Sequence, residues 1–141
     1  MPDSGVDSGA VLTPSKTTGP RLMTVAAAAV ATAAIWLVAH VAFGVDLEVK
    51  SGNSVQAVAL PAVIVVTVFA GLAAWALLAI LERTTSSPRP IFLAVGLVVL
   101  LFSLAGPAAG TTAAAKVVLT CEHLAAALVV VLGLARTVKN R

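Results

Sequence analysis

Four long apolar stretches alternate with short polar segments along the chain. The apolar stretches cover about residues 22–45, 57–81, 90–106 and 112–134. An α-helix rises about 1.5 Å per residue and the hydrocarbon core of a bilayer is about 30 Å thick, so about 20 apolar residues suffice to cross it. The pattern therefore predicts four transmembrane helices, of which the third is the shortest and only marginally long enough.

The segments between the apolar stretches have the composition of tails and turns. Residues 1–20 are rich in Ser, Gly, Thr, Pro and Asp, which predicts a disordered cytoplasmic tail before a transmembrane domain at 21–136. The first loop, DLEVKSGNSVQ, combines Gly52 and Asn53 as turn residues with an alternation that is typical of a short extended piece. Pro88 and Pro90 interrupt the second connection, and residues 137–141 form a basic cytoplasmic tail.

Composition supports this interpretation and excludes a soluble domain. Hydrophobic residues make up 60% of the chain and charged residues 11%, whereas soluble domains have about 25% charged residues. So few charges cannot cover a water-facing surface, and we expect an all-α integral membrane protein. A signal peptide is a weaker interpretation of the first stretch, because the apolar run exceeds the usual length of about 7–15 residues.

The basic residues predict the orientation of the bundle. Seven Lys and Arg residues lie in the two tails and the second loop, and two lie on the opposite side. The positive-inside rule then places both termini in the cytoplasm. Short connections favour an antiparallel four-transmembrane-helix bundle, N-in and C-in, in the plasma membrane. The expected partners are the lipid bilayer and, left open, other membrane proteins or a second copy of the chain. Nucleic acid is not an expected partner despite the net charge of +3.

The fourth stretch contains the candidate functional residues. Lys116, Thr120, Glu122 and His123 interrupt an otherwise apolar segment. Ionisable groups at membrane depth are costly, and they usually pair, face a bundle interior or line a pathway. Lys116, Thr120 and His123 share one helical face, whereas Glu122 points about 120° away from Lys116. Glu122 is thus predicted to face a different neighbour.

Possible partners of these groups lie near the outer side. Lys116 can extend its long side chain towards Asp46 or Glu48, which are the outer-loop candidates for an ion pair. His40, near the end of the first stretch, is expected either to bond a backbone carbonyl or to serve as a polar partner for the fourth helix. The candidate partners of Glu122 are His123 and threonine hydroxyls; alternatively, its carboxyl group carries a proton of its own.

Three interpretations of this polar cluster remain open. The preferred one is interhelical hydrogen bonding that fixes the register of the bundle in a structural or accessory membrane protein. The others are a pathway for protons, ions or small solutes, and a binding site for a lipid or quinone head group. No nucleophile–base motif or phosphate-binding loop is present, and one His beside one Glu has too few ligands for a metal. We therefore expect no enzyme activity, no catalytic residue, no metal site and no cofactor.

Several segments resemble a known family. They are WLVAHVAFGVDLEV, ALLAILER, the SLAGP turn and CEHLAAALVVVLGLAR, and the resemblance covers about residues 22–136. The chain resembles the small four-helix membrane proteins of actinobacteria that are grouped as a domain of unknown function, DUF6069. The resemblance implies a four-span plasma-membrane protein without an assigned activity, with His40 and His123 at positions of the family pattern. Small multidrug exporters also have four spans, but their working glutamate is in the first span, which has none here.

Overall fold

The computed structural model describes residues 15–138, and most of this part is helical. Four of its helical segments are long and apolar enough to cross a membrane. We call them spans 1 to 4, and they cover Thr18–Ala42, Leu60–Thr84, Pro88–Ala108 and Ala113–Ala135. The prediction of four membrane-capable helices is thereby confirmed.

Span 1 begins and ends at different residues from those predicted. Helix α1, Thr18–Leu37, continues into one π-helical turn at Val38–Ala42. Gly44 then adopts a left-handed conformation with φ of 62°, which a residue without a Cβ reaches at little cost and which ends the helix. Residues 18–20 are helical rather than part of a tail, and the disorder predicted for residues 1–14 lies outside the described residues.

A β-hairpin connects spans 1 and 2, where the sequence indicates a short extended piece. Strands β1, Glu48–Ser51, and β2, Ser54–Ala57, pair in antiparallel register across a two-residue turn. Gly52 has a φ of 59° in this turn and Asn53 a negative φ, as a type II′ turn requires. The hairpin lies against the connection before span 4, since the Lys50 amide donates to the Ala109 carbonyl at 2.9 Å.

Prolines begin spans 2 and 3 rather than interrupting them. Helix α2, Leu60–Thr84, has Pro61 in its first turn, and α3, Pro88–Ser103, starts directly on a proline. First-turn amides have no helical partner, so a proline there loses no hydrogen bond. The third helix therefore starts two residues before the predicted residue 90. With the short helix α4, Ala105–Ala108, span 3 reaches 21 residues.

Span 4 consists of helix α5, Ala113–Ala127, a π-helical turn at Leu128–Leu132 and the short α6, Gly133–Ala135. The Thr112 side chain caps α5 by accepting from the Ala115 amide at 3.1 Å. Threonine is among the residues preferred at this position, because its side-chain oxygen accepts from an amide of the first turn. Span 4 thus runs from this cap to Ala135, close to the predicted range.

Two apolar clusters hold the helices together at opposite ends. The first is centred on Leu78, Phe92 and Leu134, which belong to spans 2, 3 and 4 and are at most 1% exposed. The second packs Leu47 of the hairpin connection against Ala115 and Leu119 of span 4. The hairpin therefore covers one end of the bundle.

Most apolar side chains of the spans point outward. Phe69, Phe102 and Val41 are each more than 70% exposed. Large exposed apolar areas on a water-soluble protein are rare, whereas lipid accepts them without cost. This surface fits four helices that pass through a bilayer.

Candidate functional site

A groove of about 770 Å³ lies among spans 2, 3 and 4. Its hairpin end is lined by Lys50, Ser51 and Gln56, and it extends to Leu77 and Phe92 near the opposite end of the bundle. Ala, Val and Leu side chains make up most of its wall. The volume is in the range of small-molecule sites, which are typically about 300–1,000 Å³.

Glu122 lines this groove near the middle of span 4. The residue is 5% exposed, and its Oε1 atom is buried without a hydrogen-bond partner among the described residues. A buried polar atom without a partner costs about 1–3 kcal/mol in protein mutational data. The structure thus does not give Glu122 the interhelical partner that the preferred interpretation of the cluster requires.

His123 is the second polar residue of span 4 in the groove wall. Its Nδ1 atom lies 2.8 Å from the Leu119 carbonyl of the same helix. A carbonyl oxygen can only accept, so Nδ1 carries the proton and donates. His123 therefore bonds within its own helix on that side and does not bond Glu122.

Thr120 and Lys116 lie outside the groove wall. The Thr120 hydroxyl donates to the Lys116 carbonyl at 2.7 Å, a bond within one helix that satisfies the hydroxyl. The Lys116 side chain is exposed, and the structure forms no ion pair between it and Asp46 or Glu48. Of the four polar residues in span 4, the groove thus brings together only Glu122 and His123.

His40 also lies outside the groove and bonds a backbone carbonyl. Its Nδ1 atom is 3.2 Å from the Val45 carbonyl, and its ring stacks on Trp36 with centroids 4.7 Å apart. This is the carbonyl-bonded arrangement rather than a contact with Lys116. The Trp36 indole in turn donates to the Val58 carbonyl at 2.7 Å, which ties span 1 to the short connection between β2 and span 2.

One polar pair in the groove wall was not anticipated from the sequence. The hydroxyls of Thr32 and Thr67 are 3.2 Å apart, and both residues are buried and line the groove. The pair joins spans 1 and 2. Each threonine interrupts an apolar run, and this could have indicated that each needs a polar partner.

A second unanticipated cluster lies where spans 1, 2 and 4 meet, at the end of the bundle opposite the hairpin. Arg21 forms an ion pair with Glu82 at 2.7 Å and donates through Nε to the Thr137 hydroxyl at 2.9 Å. The Arg21 side chain is 5% exposed and that of Glu82 is 21% exposed. The sequence places both at helix ends, but only packing brings them together.

The groove chemistry is that of binding rather than of metal coordination. Within residues 15–138 no three His, Cys, Asp or Glu side chains are grouped so that they could hold a metal ion. Glu122 and His123 offer hydrogen-bonding atoms beside a long apolar surface. Such a wall suits a molecule that is mostly apolar and has a small polar part.

Comparison with known proteins places the chain in a family. No curated protein and no solved structure matches it significantly. A family model described as a family of unknown function, DUF6069, matches residues 12–140, which include all four spans and the groove. The match covers most of the chain, and the protein therefore belongs to the DUF6069 family.

Proposed function

We propose that this chain is a non-catalytic accessory protein of the plasma membrane that binds a membrane-soluble molecule in the groove among spans 2, 3 and 4. The observation that supports this proposal most strongly is the Oε1 atom of Glu122, buried in the groove wall without a partner. A protein retains such a destabilising group when a bound molecule supplies the missing hydrogen bond.

Membrane insertion is supported by the four apolar spans and their exposed surface. With both termini in the cytoplasm, the β-hairpin lies on the outer side and the Arg21–Glu82 pair on the cytoplasmic side. The groove then opens sideways to lipid and its hairpin end faces outward. A ligand dissolved in the bilayer can enter without crossing water.

Reporter fusions test this orientation. A reporter inserted at Asn53 should lie outside the cell and one at the C-terminus inside, because seven of the nine Lys and Arg residues are on the predicted cytoplasmic side. Two reporters are used at each position: an enzyme that is active only in the periplasm and a fluorescent protein that fluoresces only in the cytoplasm. Each reporter should give opposite signals at the two positions. The same signal at both positions would contradict the four-span orientation.

A transport pathway has less support than a binding groove. Along the described part of span 4, Thr120 and His123 each form a hydrogen bond with a backbone carbonyl of their own helix, and Lys116 does not line the groove. Thr32 and Thr67 satisfy one another. Glu122 and its neighbour His123 are then the two ionisable side chains that span 4 contributes to the groove wall. One such adjacent pair is a poor relay across a membrane but a good anchor for one bound molecule.

Filling the groove tests the proposal directly. Ala70 lines the groove and is exposed, so phenylalanine at this position occupies its volume without removing a contact. Ala76, on the same helix, is exposed but outside the groove wall and provides the matched control. Protein purified from its native membrane is extracted with organic solvent, and the extract is analysed by mass spectrometry.

We expect a lipophilic compound other than bulk phospholipid in the extract of wild type and of Ala76→Phe, near one per chain. The Ala70→Phe protein should lack it. Equal retention by Ala70→Phe, or no compound above the phospholipid background in any sample, would overturn the proposal.

Glu122→Leu should not destabilise the ligand-free protein. Leucine has a similar volume and removes the unpartnered carboxyl, so the free energy of unfolding should rise by about 1–3 kcal/mol. Glu122→Gln should stay close to wild type, since the amide is also polar and equally unpartnered. Unfolding in mixed detergent micelles measures the difference, with Cys121→Leu on the exposed neighbouring position as control. A large loss of stability in Glu122→Leu would show that Glu122 has a structural partner after all.

A further inference from the structure

We infer that the groove selects a neutral lipophilic molecule whose polar head donates hydrogen bonds, such as a hydroxylated aromatic ring on a long alkyl chain. This inference rests on the proposed binding function and assigns the chemical class of the ligand. Its evidence is the set of free atoms that Glu122 and His123 present to the groove, together with the charge at the outer end of the groove.

The protonation of His123 decides what its free nitrogen can do. Since Nδ1 donates to the Leu119 carbonyl, Nε2 is the ring nitrogen that has a lone pair and accepts when the imidazole is neutral. Nε2 faces Gly106, where a built Cβ atom would lie 3.7 Å away, in ordinary contact. The structure shows no hydrogen bond from Nε2 to any residue between 15 and 138. The ring thus presents an acceptor on the groove side of span 4.

Glu122 supplies a second acceptor on the same wall. Its Oε1 atom has no partner, and a carboxyl group retains acceptor capacity whether it is ionised or protonated. Two adjacent residues of one helix can therefore each accept a hydrogen bond from a ligand that has donors. A ligand that has only acceptors, such as an ether or a ketone, would gain no hydrogen bond from Nε2 of His123 or from an ionised Glu122.

The outer end of the groove disfavours a cationic ligand. Lys50 of the hairpin lines this end, with Ser51 and Gln56 beside it. A positively charged head group at this end would lie near the lysine and would also lose its hydration in the apolar groove. A hydroxyl group avoids both costs because it is neutral. Each hydroxyl donates one hydrogen bond, so a head group with two hydroxyls can supply both acceptors.

Two synthetic probes that differ only in donor capacity test the inference. One is an alkylresorcinol with two free hydroxyl groups, and the other is its dimethyl ether with the same alkyl chain. Binding to the full chain in phosphatidylcholine nanodiscs is measured by equilibrium titration, after removal of endogenous lipophiles by detergent exchange. The Ala70→Phe protein, with its groove filled, measures how much probe partitions into the bilayer alone. Ala76→Phe adds a phenylalanine outside the groove and controls for the added aromatic ring.

The resorcinol should bind at least about tenfold more tightly than its ether, which corresponds to about 1.4 kcal/mol from the added hydrogen bonds. Glu122→Leu and His123→Phe should each abolish most of this preference. Glu122→Gln should keep it to within about threefold, because the amide oxygen still accepts. Ala76→Phe should bind both probes like wild type.

The possible failures are distinguishable. If both probes bind wild type equally and Ala70→Phe blocks them, the inference about donors is wrong while groove binding stands. If neither probe binds but Ala70→Phe removes a native lipophile, the ligand class is wrong. If neither probe binds and no native lipophile is retained, the proposed function itself fails.

Discussion

Arg21→Ala is expected to lower the free energy of unfolding by about 3 kcal/mol, the lower end of the range for breaking a buried ion pair. The substitution leaves Glu82 partly buried without its cation and removes the bonds to Thr137 that tie span 1 to the end of span 4. Because Glu82 is 21% exposed, water compensates part of the loss. The measurement is unfolding in mixed detergent micelles.

Arg83 provides the matched control for this prediction. It is one residue away from Glu82, it is exposed, and the described residues give it no ion pair. Arg83→Ala should change the stability by less than about 0.5 kcal/mol, as surface substitutions usually do. Arg21→Lys should be intermediate, since lysine keeps the charge but not the forked donor geometry. An Arg21→Ala protein as stable as Arg83→Ala would contradict the structural role of the pair.

Gly133→Ala is expected to destabilise the protein by about 1–3 kcal/mol through overpacking between spans 1 and 4. A Cβ atom on Gly133 would lie 2.5 Å from the Cγ2 methyl of Thr24. Thr24 cannot easily turn away, because its side chain is β-branched and its hydroxyl donates to the Pro20 carbonyl at 2.9 Å. The two helices must therefore move apart.

A second substitution tests the cause of this effect. Thr24→Ala removes the methyl group, so the double variant Thr24→Ala with Gly133→Ala should recover most of the stability that Gly133→Ala loses, relative to Thr24→Ala alone. Gly106→Ala is the control, since its Cβ would make only an ordinary contact at 3.7 Å with His123. If the effects of the two substitutions on stability are additive, or if Gly133→Ala is as stable as wild type, spans 1 and 4 are not in close contact at Gly133 and Thr24.

The two predictions concern different parts of the same packing arrangement. The Arg21 cluster joins spans 1, 2 and 4 by polar contacts, and the glycine contact brings spans 1 and 4 close together. Gly96 serves a similar purpose between spans 3 and 4, where a Cβ atom would lie 2.9 Å from a methyl group of Val131. Small residues at such contacts let membrane helices approach closely.

The sequence by itself determined the features that depend on local composition. The four apolar runs are long enough to indicate membrane-capable helices, and the turn residues Gly52 and Asn53 indicate the bend of the hairpin. Helix ends were less accurate, because a proline can either end one helix or begin the next, and Pro88 begins one.

Only the tertiary structure decided what the polar residues do. Helical spacing shows that Glu122 and Lys116 face different directions, but it cannot show which neighbour each meets. The structure places Glu122 and His123 on a groove, leaves Lys116 exposed, and joins Arg21 to Glu82, 61 residues away. The physical reason is that partner choice between helices depends on which faces pack together. When all faces of a helix carry similar apolar residues, hydropathy does not distinguish which face packs against a neighbouring helix. The choice then depends on close contacts such as that of Gly133 with Thr24.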